Sequence, residues 1–235
     1  MRSTFLPSAL LIATGAILSV VVDGFSAKPY AVNLKFTVKE DRRDDFLTLI
    51  RDNQRKTLEL ESKALQYVVG EDVDSPNTFF LHEQFIGKEG FEEHRTMKHA
   101  GDWANFKSTD PFTDDGSPTL VFFECVVDDN VEYKQVPIQP AFCVHAELCI
   151  KEEVREEFLR VIENNAKGSN EEVLCLQYSY GESEDTPNKF VFHEEFLGKE
   201  GFDAHASMPH FLAWEKFAGT DPFTKPPKVD FYTTI

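Results

Sequence analysis

Apolar and polar residues alternate early in the chain: Val32, Leu34, Phe36 and Val38 are separated by polar neighbours, the period of a strand with one buried face. The same alternation returns at Val144, Ala146, Leu148 and Ile150. Each stretch is followed by apolar residues at helical spacing, Phe46, Leu49, Ile50 and Leu58 in one case and Val154, Phe158, Val161 and Ile162 in the other. Strands are predicted at 65–70 and 79–86, divided by Asp74-Ser75-Pro76-Asn77, residues that favour a turn. Asp185-Thr186-Pro187-Asn188 repeats that punctuation. A further helix is expected from near Glu89 and again from near Glu200, and a last strand at 120–126 and 229–233.

This is one pattern written twice. Residues 65–113 align without a gap on 176–224, with 27 identical positions, and Asp44-Asp45-Phe46-Leu47 matches Glu156-Glu157-Phe158-Leu159 after a one-residue indel. The predicted fold is α+β: two ferredoxin-like βαββαβ repeats, at 28–127 and 141–235, joined by a linker at 128–140 that contains Pro137 and Pro140. A four-stranded sheet with helices on one face leaves the other bare. Two copies in one chain can cover each other's bare faces, so an intramolecular pseudo-dimer closing into a barrel is expected.

The first residues depart from this pattern. Arg2 precedes an apolar run at 9–22, interrupted only by Thr14, Gly15 and Ser19, and Asp23-Gly24 follows. That length suits a signal-peptide core better than a membrane span, so residues 1–24 are expected to be a cleaved signal peptide. A Phe directly after the cut resembles the bipartite plastid presequences of diatoms and related algae. The secretory pathway and the plastid are both open destinations. The net charge of −17, from 24 Lys+Arg and 41 Asp+Glu, argues against nucleic acid and against stable membrane association after cleavage. The four Cys show no close-spaced framework.

Candidate chemistry gathers on the last helical stretch. Phe202 and His205 share a face, Pro209 is expected to break the helix and begin a second piece, and His210, Trp214 and Phe217 then form one stripe. The first copy keeps His94, His99, Trp103 and Phe106 at matching places. Asn53 and Asn165 fall on the apolar stripe of the first helix, where a buried amide must find a partner. They could line a cavity or cap a helix end. His193 and Glu194, like His82 and Glu83, are adjacent on a strand and point to opposite faces. Cys143, His145, Glu147 and Cys149 project from one strand face, but its outer members lie about 20 Å apart and cannot share an ion. No metal site is expected. Ala100-Gly101-Asp102 stands in the first copy where the second has Phe211-Leu212-Ala213, which weakens the first copy's helix and favours the second as the competent site.

Each copy resembles an antibiotic biosynthesis monooxygenase domain of the dimeric α+β barrel superfamily. The likeness rests on Gly168-Ser169…Glu171-Glu172…Leu176-Gln177-Tyr178, on Phe192-His193-Glu194-Glu195-Phe196, and on Phe202-x-x-His205-x-x-x-Pro209-His210-Phe211-x-x-Trp214. It implies a cofactor-independent monooxygenase, or a related enolising isomerase, acting with dioxygen on a small quinol, phenol or dicarbonyl compound. A phenol or enediol that loses its proton becomes electron-rich enough to reduce dioxygen directly, so a base in an apolar box suffices. On this reading His205 and His210 are catalytic, and Trp214, Asn165, Phe202 and His193 bind substrate. His94, His99, Trp103, Asn53 and His82 are the first-copy equivalents. The alternative is a non-enzymatic barrel that binds a small hydrophobic ligand or acts as an interaction module.

Overall fold

The computed structural model describes residues 27–126 and 140–235, so the signal peptide expected at 1–24 and nearly all of the linker lie outside the described residues. In the first copy β1 (Pro29–Thr37), α1 (Arg43–Leu60), β2 (Ala64–Asp72), β3 (Thr78–Ile86), α2 (Gly87–His94), α3 (Lys98–Lys107) and β4 (Thr119–Glu124) follow in order. The second repeats them as β5 (Phe142–Cys149), α4 (Arg155–Glu171), β6 (Cys175–Glu182), β7 (Lys189–Phe196), α5 (Gly198–His205), α6 (Pro209–Ala218) and β8 (Lys228–Thr234). The hairpin turns end on Asn77 and Asn188, both left-handed at φ 65° and 60°, a conformation that Asn tolerates better than most residues. Arg155 braces the second turn, donating to Glu182 at 2.6 Å and to Asn188 at 2.5 Å, and Arg43 does the same for Glu71 and Asn77.

The second helix of each copy is in two pieces. Pro209 occupies the first turn of α6, where its missing N–H costs nothing, yet Lys98 opens α3 at the same break. Gly101 and Asp102, expected to weaken α3, sit inside a helix of 10 residues, the length of α6. Lys98 reaches Asp102 at 3.1 Å one turn on, offsetting part of their poor propensity.

All eight strands join one sheet in the order β4-β1-β3-β2-β8-β5-β7-β6. The copies meet first where β2 pairs with β8, Gly70 opposite Thr234. They meet again where β4 approaches β6, through the Phe123–Ser183 bridge and backbone hydrogen bonds from Val126 to Tyr180 (2.7 Å) and from Glu184 to Phe122 (2.9 Å). The sheet therefore curls into a nearly closed barrel. Glycine makes the first contact possible, because a Cβ on Gly70 would lie 2.2 Å from the Tyr232 ring.

Strand alternation sorts the side chains. Val32, Leu34, Phe36, Phe79 and Leu81 face α1 and α3, and Val144, Leu148, Phe190 and Phe192 face α4 and α6, giving each copy its own aromatic-rich core. The opposite faces meet inside the barrel, where Val68, Phe80, Cys143 and Tyr232 pack across the copies.

Candidate active site

Helix α4 ends at Glu171, and the next residue, Glu172, turns its carboxylate under the break between α5 and α6. His205, the last residue of α5, and His210, in the first turn of α6, both bind it. His205 Nδ1 and His210 Nε2 each lie 2.7 Å from Glu172 Oε1. The first copy builds the same group: His94 Nδ1 is 2.9 Å and His99 Nε2 2.5 Å from Glu61 Oε1. The helix break thus serves to turn two His, five residues apart, onto one carboxylate. Gly168 allows this in the second copy, since a Cβ there would lie 2.3 Å from His210 Nδ1.

His205 is fully buried between the Phe196 and Phe211 rings, each centred 5.0 Å away. Its Nδ1 is committed to Glu172, and its Nε2 has no hydrogen-bond partner. Burial lowers its pKa, and the Glu172 hydrogen bond and charge oppose the shift. A neutral ring donating from Nδ1 presents a bare lone pair at Nε2. Nearby, Asn165 Nδ2 donates to the Tyr178 hydroxyl at 2.9 Å, while Asn165 Oδ1 is unpartnered. Glu194 faces the same side; burial, and then the charge of Glu172, push its carboxyl up to about 8. Each trio, Glu172/His205/His210 and Glu61/His94/His99, brings one carboxylate oxygen and two ring nitrogens within 4.8 Å of one another, a donor set able to hold a divalent ion.

The sequence profile named antibiotic biosynthesis monooxygenase matches residues 29–105 and 141–216, together more than half of the chain. The chain belongs to this family. A relative in sequence, an uncharacterised protein of Synechocystis sp., is 28% identical over 83 residues, 35% of this chain and 56% of that protein. The match thus spans little more than half the length of that relative. A protein of Fusobacterium nucleatum provisionally described as a monooxygenase superposes with a TM-score of 0.80 at 18% identity, covering 89% of this chain and 94% of its own. One from Lactobacillus acidophilus, described in the same way, gives 0.71 at 19%, covering 88% and 94%. An anthrone oxidase-like protein gives 0.59 at 13%, covering 89% and 92%. At such identities the likeness is one of fold. Its coverage shows that these three chains share the fold over nearly the whole of their own length.

Within this family scaffold the residues singled out from sequence separate into two groups. His205, His210 and their equivalents His94 and His99 come together on a shared carboxylate. Asn165 and Asn53 are buried in mid-helix, away from any cap position, and Asn165 binds Tyr178. Phe202 packs on Phe142, Phe196 and Phe231, beside this group. Trp214 instead lies over the core rings Phe158, Phe217 and Phe223, and Trp103 over Phe36, Phe46, Phe106 and Phe112. His193 and His82, expected beside substrate with His205, are on the other face of the sheet, because Glu194 and Glu83 take the helix-facing positions of those strands. Sequence reasoning passed over Glu172, Glu61 and Glu194 as site residues. Glu172 lay inside the family motif, but only the fold shows it meeting two His.

Proposed function

We propose that the chain is a cofactor-independent monooxygenase that oxidises a small quinol or phenol at its helix-side sites, with enolisation of a dicarbonyl as the related reaction of the same base. One observation carries this reading: His205 is held at Nδ1 by Glu172 and leaves Nε2 bare in a buried, ring-walled setting. Such a ring accepts the substrate's hydroxyl proton at Nε2, and Glu172 stabilises the imidazolium that results. The anion left behind, with little water to hydrate it, is then able to pass an electron to dioxygen. Glu194, kept neutral near pH 7 by burial, can donate a hydrogen bond to that oxygen anion instead of repelling it. The first copy repeats the carboxylate and its two His, but His94 Nε2 faces the Glu83 carboxylate at 3.8 Å, so the bare ring nitrogen that carries this reading belongs to the second copy.

Oxygen-electrode traces test this with anthrone, a class named in one structural neighbour, and a panel of naphthohydroquinones. Oxygen uptake should fall by roughly 10²- to 10⁴-fold in the double variant His94→Ala/His205→Ala. If no compound is oxidised or isomerised faster than in that variant, the enzyme reading fails and a ligand-binding barrel takes its place.

A further inference from the structure

The face of the sheet turned away from the helices holds chemistry that the proposed reaction does not use. His82 on β3, His145 on β5 and His193 on β7 converge there from both copies, offering one ring nitrogen each within 4.8 Å of one another. His82 and His193, equivalent residues of the two repeats, stack with centroids 3.8 Å apart and 8° between planes. His145 stands across both, at 67° to His82 and 71° to His193. The same interior contains four buried polar atoms without a hydrogen-bond partner: His82 Nε2, Glu195 Oε2, Gln66 Oε1 and Gln84 Oε1. A folded interior rarely leaves so many such atoms together.

The three rings are already oriented by outer partners. His82 Nδ1 lies 2.6 Å from Asn33 Oδ1, which fixes its tautomer and leaves Nε2 as the free lone pair. The Tyr232 hydroxyl bridges His145 Nε2 and His193 Nδ1, 3.0 Å from each. Glu195 accepts from His193 Nε2 at 3.0 Å and adds a carboxyl group to the site. His145 also lines a pocket of about 20 Å³, with Asn33, Lys35, Phe80, Glu147 and Asp230.

We propose that His82, His145 and His193 form a metal site that holds one divalent first-row transition ion between the two copies. Three imidazoles beside a carboxylate suit zinc above all, and also copper or nickel, rather than the oxygen-seeking magnesium or calcium. Loading turns the stacked rings out of parallel and draws the ligand nitrogens in, toward the roughly 3.4 Å separation that follows from tetrahedral zinc bonds. Asn33 occupies in the first copy the place that His145 holds in the second, so the barrel offers one third ligand and takes one ion. The ion would tie β3 of one copy to β5 and β7 of the other. This site is independent of the helix-side chemistry and stands or falls separately from it.

The test is zinc titration of the full chain after chelator treatment, followed by calorimetry and elemental analysis. One tightly bound zinc per chain is expected, with affinity reduced at least about 10-fold in His145→Asn, the residue that the first copy itself uses, and unchanged in His94→Ala/His205→Ala. X-ray absorption of the zinc-loaded wild-type chain should show three imidazole ligands, a readout that does not depend on any variant folding. No tight zinc, one zinc indifferent to His145→Asn, or two zinc ions per chain lost in His94→Ala/His205→Ala would each overturn the proposal, the last by placing the ions on the helix-side trios.

Discussion

At the scale of single residues, the helix-side site depends on Glu172 more than its place in the sequence reveals. It accepts from both His205 and His210 at one oxygen, so Glu172→Gln leaves an amide oxygen able to accept from both rings and removes the charge that would stabilise an imidazolium. With Glu61→Gln introduced beside it, oxygen uptake should drop by roughly 10² or more while far-ultraviolet circular dichroism stays unchanged. Gly168→Ala should displace His210 and destabilise the fold by about 1–3 kcal/mol, read from urea melts, because its Cβ would stand 2.3 Å from the ring. Glu194 carries a pH signature. Its folded pKa of about 8 exceeds the ordinary 4.5, so the folded chain keeps a proton that the unfolded chain loses. Stability therefore falls as pH rises from 4.5 through 8. Glu194→Gln should raise the melting temperature at pH 8.5, by about 1–2 kcal/mol in stability, and leave it nearly unchanged at pH 4.

At the scale of elements, the break before α6 was legible from Pro209, yet Pro209 does not create it. The same break precedes α3, where Lys98 stands in its place and Met97, like Met208, adopts the extended N-cap conformation. Packing of the two pieces and the His–Glu contacts hold it. Replacing Pro209 with Lys should therefore cost only about 0.5–1 kcal/mol, chiefly through the unfolded state, and leave oxygen uptake within about two-fold. Helix α3 forms over the same length as α6 despite Gly101 and Asp102. Propensity losses at Gly101 and Asp102 are small beside the burial of Phe106 and the packing of Trp103 on Phe36 and Phe46.

At the scale of the whole molecule, the barrel interior governs the acid limit. Burial holds His82 and His145 well below their ordinary 6.5 and His193 down to about 3. As pH falls below 6.5 the unfolded chain takes up protons that the fold refuses, so stability is lost. Between 6.5 and 4.5 the raised carboxyls of Glu194 and Glu195 offset part of that slope, and the steep loss is expected below about 4.5. Melting temperatures of metal-free protein between pH 3.5 and 6.5 check this; a flat profile would contradict it. The described residues include no helix long and apolar enough to cross a membrane, and all four Cys are buried free thiols.

By itself the sequence determined that there are two copies and where the strands and helices of each lie. Those properties follow from short-range periodicity and from a repeat that survives as text. Tertiary structure alone decided which side of β3 and β7 meets which partner. Strand alternation says that His193 and Glu194 part company, but only packing says that the carboxyl goes to the helices and the imidazole to the barrel. It also decided that His145, which shares a strand face with Cys143 and Cys149, lies beside His82 and His193 on other strands. The sheet curls until residues 48 and 63 positions apart are neighbours, and no pattern of short period records such distances.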